Sequence, residues 1–321
     1  MEPIAGLHHV TAIAADPQCN VDFYTGTLGM RLVKKTVNFD DPATYHFYYG
    51  DDRGTPGTIL TFFPWPGAER GAAGNGETCA TAFRAAKSSL AYWEHRLAEA
   101  SVPAELAEER FGAPVLRFRD PDGMALEIIG VEESGPVPYA SRWSDVDPAH
   151  ALRGFYGVTL AVAEKEPTEV VLHTLGLTQT RAAGNRFRFT APGAALGNVV
   201  DLLVSPEAPQ AQLGAGSVHH IAFRVPDDAV QLAWRERLTA EEMYVTPVRD
   251  RNYFHSIYFR EPGGVLFELA TDPPGFTVDE PDAGLGESLR LPAWLEDHRA
   301  VLEKTLPAIH LPHQKAEAAH E

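Results

Sequence analysis

Cysteine, basic residues and long apolar runs are all scarce in this sequence. Its 321 residues include two cysteines, Cys19 and Cys79, too few for a disulfide framework, so both read as reduced thiols. Lys and Arg number 27 against 44 Asp and Glu, a net charge of -17. Nucleic acid and anionic membrane surfaces would repel such a chain, which excludes both as partners. No apolar stretch approaches the roughly 18 residues of a membrane-crossing helix. The opening MEPIAGLHHV lacks the basic segment and long apolar run of a secretory leader. The expectation is a soluble, acidic, cytoplasmic protein, with homo-oligomerisation left open. What the chain does contain is 44% hydrophobic residues, enough to build a core. It also holds 13 histidines, and imidazole is the commonest metal ligand.

Internal repetition organises the sequence. FRDPDGMALEIIG begins at 118 and FREPGGVLFELAT at 259, 141 residues apart. GTLGMRLVK and HTLGLTQTR match at an offset of 147, and TAFRAA and IAFRVP at 140. The chain therefore reads as a duplicated half, each half holding two shorter units, at about 6–65, 77–131, 153–205 and 216–271. The expected domains are 1–131 and 153–275. A polar, proline-bearing linker (132–152) joins them, and an extension follows (276–321) whose tail, from about 307, is expected to be mobile.

Within the fourth unit, Ile221, Phe223 and Val225 alternate with His220, Ala222 and Arg224, the pattern of a half-buried strand. Asp227 and Asp228 then supply an N-cap for the amphipathic AVQLAWRERLTAEE. SIYFR and VLFELAT pair as a hairpin around Gly263 and Gly264. A unit is thus a strand, a helix and two or three strands, with the helix on one sheet face and the other face free to form a concavity. Parity assigns the side chains. If Ile221, Phe223 and Val225 face the helix, His220 faces the concavity. The same rule sends Val10 and Ala12 outward and His9, Thr11 and Ile13 inward. Phe267 and Leu269 pack outward while Glu268 points in, where a carboxylate needs a cation or hydrogen bonds.

The openings GLHHVTAIA and SVHHIAFRV, with the closing glutamates of the second and fourth units, resemble the vicinal oxygen chelate superfamily. The resemblance covers about residues 6 to 275. It implies an α+β fold of four βαβββ modules in two tandem halves, with mixed sheets curled into metal-binding cups and helices outside. It implies metal ligation by His9, His220 and Glu268, provided that the first and fourth modules pair; Glu127 is the competing carboxylate. Two histidines and a carboxylate with open positions form the site type of non-haem Fe(II) oxygenases, with Mn(II) or Zn(II) as weaker candidates.

IYFREPGGVLFE further resembles the signature of extradiol ring-cleaving dioxygenases, except that Arg251 stands where catechol cleavers keep an acid–base histidine. Arg251, Tyr258 and the paired histidines resemble more closely the branch that opens para-diols, the hydroquinone dioxygenases. That resemblance implies a small aromatic substrate with O2 as co-substrate. It places Tyr258, Arg251 and His219 in catalysis, and His8 and Thr11 at the substrate. Tyr258 would hydrogen-bond the bound phenolate, Arg251 would stabilise oxyanion charge, and His219 or His8 would take a proton or orient the ligands. Arg251 and Tyr258 are an odd seven residues apart, so a loop or bulge near Asn252 must bring them to one face. A glyoxalase-like isomerase or thiol transferase, and a non-enzymatic ligand-sequestering module, are the alternative readings.

Overall fold

The computed structural model describes residues 2–132, 139–142 and 144–311. The first unit folds as β1 (Leu7–Ala14), a short helix α1 (Pro17–Val21) running on as a π-helical turn (Asp22–Thr27), β2 (Arg31–Asn38), β3 (Asp41–Gly50) and β4 (Ile59–Pro64). The second is β5 (Glu77–Ala86), α2 (Leu90–Glu99), β6 (Ala104–Arg110), β7 (Ala113–Arg119) and β8 (Ala125–Val131). The third is β9 (Phe155–Val162), α3 (Glu166–Thr174), β10 (Thr178–Ala183), β11 (Arg186–Thr190) and β12 (Val199–Val204). The fourth is β13 (Val218–Val225), α4 (Asp228–Ala240), β14 (Arg249–Asp250), β15 (Phe254–Arg260) and β16 (Leu266–Pro274). All four are the expected βαβββ unit.

Strand pairing combines the units across the chain. One eight-stranded sheet has the order β14-β15-β16-β13-β1-β4-β3-β2, and the other β10-β11-β12-β9-β5-β8-β7-β6. The first sheet is therefore made by units one and four, joined by antiparallel β1 and β13, and the second by units two and three, joined by β5 and β9. Within a unit the opening and closing strands run parallel, so each sheet is mixed. Each chain half beside residues 132–152 contributes one unit to each sheet. Of that segment, 133–138 and 143 lie outside the described residues, while the backbone N–H groups of Ser141 and Arg142 donate to Asp52.

Local chemistry accounts for the elements. The Asp227 carboxylate accepts the Val230 N–H at 2.9 Å and starts α4, whose Gln231, Trp234 and Leu238 share one buried face. Ile221, Phe223, Val225, Val10, Ala12, Phe267 and Leu269 lie in the main apolar core with Trp234 and Leu238, as parity requires. In the hairpin turn before β16, Glu261 accepts from the N–H groups of Gly263 and Val265, and Gly264 takes φ +103°, where a side chain would be strained. The extension is docked. Buried Lys34 on β2 binds the Phe276 carbonyl, Asp279 and Glu280, and Arg31 reaches the carbonyls of Asp282 and Leu285. The tail, expected to be mobile from about 307, packs on the domain as far as 311. Tyr45 donates to the Pro307 carbonyl, His310 and Gln18 exchange two hydrogen bonds, and Leu311 is buried. His313 and His320 lie outside the described residues. No described helix is long and apolar enough to cross a membrane.

Candidate metal centre and substrate cavity

Three adjacent strands, β1, β13 and β16, bring His9, His220 and Glu268 together. His9 Nε2 lies 3.3 Å and His220 Nε2 2.9 Å from Glu268 Oε2, and the two imidazole nitrogens are 3.4 Å apart. All three residues are buried. Ser256 donates to Glu268 Oε1, which fixes the carboxylate, while Oε2 is buried and accepts no hydrogen bond. Burial works to raise the Glu268 pKa, but His9 and His220 outweigh it and hold the group well below its usual value. Burial lowers His220 in turn, so the direction that holds at neutral pH is an ionised carboxylate beside a neutral imidazole. Two imidazole nitrogens and one carboxylate oxygen converge in a buried space, the arrangement that a cation completes. The donor set suits a first-row transition metal rather than Mg or Ca. Among the described residues no second group of three such donors converges.

Each histidine of the cluster is preceded by another histidine, which alternation alone would send to the opposite face. The register explains the departure. Between Leu7 and His9 the partner strand advances one residue where β1 advances two, and between Val218 and His220 the reverse holds. His8 and His219 are therefore the extra residues of two β-bulges, which re-aim side chains. His8 Nδ1 lies 3.0 Å from His9 Nδ1, and His219 Nδ1 2.8 Å from His220 Nδ1. With Nε2 of His9 and His220 turned to Glu268, their Nδ1–H groups donate to these partners, which fixes the tautomers. Burial, then the neighbouring His220, pushes the His219 pKa down to about 3.

Above the cluster is a cavity of about 280 Å³, lined in part by His9, Thr11, His46, His219, His220, Arg251 and Tyr258. Arg251 and Tyr258 do meet. Arg251 Nε donates to the Tyr258 hydroxyl at 3.1 Å, and its Nη1 pairs with Asp40 at 3.0 Å. Arg251 sits in the reversal between β14 and β15, with Asn252 at φ +63°, so strand parity does not apply to it. Thr11 faces the cavity and accepts from Thr61. His8, expected at the substrate, is not among the residues lining this cavity. Its bulge turns it behind His9, where Phe254 packs on both rings and His8 lines a separate cavity of about 430 Å³.

Of the aromatics suggested by sequence, Trp65 and Phe254 line the cavity above the cluster, Tyr253 lines the other, and Phe62 packs in the core against Tyr24. Sequence reasoning missed Ser256 and His46. The signal was available, since Ser256 shares the parity of Tyr258, and His46 and Tyr48 alternate with Phe47 and Tyr49. Glu127 lies in the other sheet, paired with Arg110 at 2.5 and 2.6 Å, and takes no part in the cluster.

The family model described as glyoxalase/bleomycin resistance protein/dioxygenase superfamily matches residues 6–128 and 150–269. A Bacillus subtilis (strain 168) protein named "Putative ring-cleaving dioxygenase MhqO" is 47% identical over 304 residues, covering 94% of this chain and 95% of that protein. The chlorohydroquinone/hydroquinone 1,2-dioxygenase of Sphingobium indicum is 35% identical over 315 residues, covering 95% and 97%. A crystal structure titled as a "putative dioxygenase" from Bacillus subtilis subsp. subtilis str. 168 superposes with a TM-score of 0.91 at 46% identity, over 97% of this chain and 99% of that one.

Proposed function

The chain belongs to the glyoxalase/bleomycin resistance protein/dioxygenase superfamily, and we propose on that footing that it is an Fe(II)-dependent ring-cleaving dioxygenase acting on a para-diol. The observation that carries the reading is the convergence of His9, His220 and Glu268 at the base of a cavity walled by Arg251 and Tyr258. His9, His220 and Glu268 would hold Fe(II), which would supply the redox chemistry between an aromatic diol and O2. The names of the relatives support the substrate class, and a cavity of about 280 Å³ suits a single ring.

The protein's own groups divide the remaining work. The Tyr258 oxygen accepts from Arg251, so its O–H is free to donate to the substrate oxygen nearest the cluster and to exchange a proton with it. The Arg251 guanidinium, held by Asp40, places fixed positive charge where oxyanion character develops during ring opening. His219 receives the His220 Nδ1–H, so its remaining hydrogen is at Nε2. It then acts as a donor into the cavity and an orienting group for His220, in preference to a proton acceptor. His8 orients His9 in the same way from behind. Thr11 offers a hydroxyl beside the cluster. Ring opening falls next to the carbon whose oxygen is bound at the cluster, the extradiol-type outcome adapted to a diol that has no adjacent second oxygen. A glyoxalase-like isomerase usually needs four protein ligands, and among the described residues three converge.

The test is oxygen consumption by protein loaded anaerobically with Fe(II), followed with hydroquinone, catechol and a glutathione hemithioacetal. The expected result is one O2 consumed per hydroquinone, with loss of the aromatic absorbance and slower turnover of catechol. Absence of uptake with every aromatic diol overturns the proposal.

A further inference from the structure

Across the cavity from Tyr258, β3 presents two polar side chains that the mechanism above leaves without a role. His46 and Tyr48 both line the cavity, while the alternating Phe47 and Tyr49 turn into the core. They belong to a chain of four groups. The Tyr48 hydroxyl lies 2.9 Å from His46 Nδ1, His46 Nε2 lies 2.8 Å from Thr61 Oγ1, and the Thr61 hydroxyl donates to Thr11 Oγ1 at 2.9 Å.

Counting hydrogens fixes the direction of this chain. Thr61 has one hydroxyl hydrogen and gives it to Thr11, so toward His46 it must accept, which places the imidazole hydrogen on Nε2. Burial, reinforced by His9 and His220, keeps His46 neutral, so Nδ1 is bare and Tyr48 donates to it. The Tyr48 oxygen is then committed as an acceptor: its one hydrogen is in use, and a lone pair remains for the cavity. Tyr48, Thr61 and Thr11 lie side by side on β3, β4 and β1, with His220 next on β13. Two strand spacings separate Tyr48 from Thr11, roughly 10 Å at about 4.8 Å per strand. One aromatic ring with an oxygen at each end bridges that span between side chains reaching in from both sides.

We propose that Tyr48, oriented by His46, is the acceptor for the second hydroxyl of the substrate, so that the cavity selects rings carrying an O–H donor away from the metal-side oxygen. The inference rests on the ring-cleavage reading, since it takes one substrate oxygen to sit at the His9, His220 and Glu268 cluster. It makes Tyr48 a substrate-binding residue and His46 a positioning residue that acts through it.

Equilibrium binding tests it without turnover. Fe(II)-loaded protein is titrated anaerobically with hydroquinone, with 4-methoxyphenol, which has no hydrogen on its second oxygen, and with phenol. Hydroquinone should bind about tenfold more tightly than either of the others, the worth of one hydrogen bond plus the acceptor left unpaired. Tyr48→Phe should bring hydroquinone to the level of phenol and leave phenol unchanged. His46→Phe frees the Tyr48 hydrogen to donate, and should narrow the gap between hydroquinone and 4-methoxyphenol, a change that a purely structural histidine would not produce. Equal binding of hydroquinone and 4-methoxyphenol by the unaltered protein overturns the proposal, as does equal weakening of phenol and hydroquinone in Tyr48→Phe. Failure of all three ligands to bind overturns the ring-cleavage reading and this inference with it.

Discussion

Glu268 and Glu127 occupy corresponding places in the middle of β16 and β8, 141 residues apart, and their surroundings differ in kind. Beside Glu268 stand His220 and His9. The corresponding places beside Glu127 hold Ala80 and Gly157, each following a bulge residue, Cys79 and Tyr156, as the histidines follow His219 and His8. Arg110 and Arg251 also correspond. Ala80 and Gly157 leave room beside Glu127, and Arg110 closes on it bidentately, with Arg117 Nε at 3.4 Å. Arg188 likewise closes on Asp201 at 2.8 and 3.0 Å. Over Glu268 the imidazoles fill that space, and Arg251 turns to Tyr258 and Asp40 instead. A buried carboxylate needs positive charge in either sheet. One sheet supplies guanidinium groups to its carboxylates, while the other presents imidazoles to Glu268 beside a cavity.

Exchanging the carboxylates breaks this comparison most sharply. Glu268→Gln should abolish metal retention and oxygen uptake, read by metal analysis and an oxygen electrode. Glu127→Ala should leave both intact but cost about 3–5 kcal/mol in denaturant unfolding, because Arg110 is stranded as a buried charge. The arginines come next. Arg251→Lys should lower kcat by about tenfold to a hundredfold with little change in stability, since the bond to Tyr258 and the pairing with Asp40 depend on the guanidinium fork. Arg110→Lys should lower stability by about 1–3 kcal/mol and leave kcat unchanged.

Acid should separate the two sheets as well. Burial holds His8, His46, His219 and His220 below the ordinary histidine value, and all four belong to the first sheet. In the unfolded chain each takes a proton near pH 6.5 and in the folded metal-free chain it does not, so stability falls as pH drops below about 6.5. His219, pushed down to about 3, costs a factor of roughly 30 in the folding constant at pH 5. Asp120, in the turn between β7 and β8, works the other way. Burial raises it to about 6, so its contribution is present below its unfolded value of 3.8 and is lost as pH rises through about 6. Hydrogen exchange at pH 7 and pH 5 should therefore show the first sheet losing protection relative to the second, and equal loss would contradict this. The smallest effect is expected of Ala80→His. It should bind no metal, because the place that corresponds to His9 is Gly157, where a Cβ would meet the Val199 carbonyl oxygen at 2.1 Å. The cost of overpacking should be about 1–3 kcal/mol in stability.

Much of this comparison was readable in the sequence. The offsets between repeats located all four units, and period-two alternation put His9, His220 and Glu268 on the concave face with their apolar neighbours behind. Alternation failed at His8 and His219, because an added residue in a bulge resets the facing of a side chain and leaves no mark on composition. It had no bearing on Arg251, which lies in a turn. The pairing of unit one with unit four depends on contacts across the whole chain, and local periodicity is blind to it. Ser256 and His46 were overlooked for a different reason, since a single polar residue inside an apolar strand is ordinary until its partner is known.

Metal stoichiometry is the most direct test of the claim that one sheet holds a cation and its sister does not. Anaerobic loading with Fe(II), removal of excess metal and analysis per chain should give one equivalent for the unaltered protein and for Glu127→Ala, and none for Glu268→Gln. Two equivalents in the unaltered protein, or a full equivalent retained by Glu268→Gln, would contradict the account.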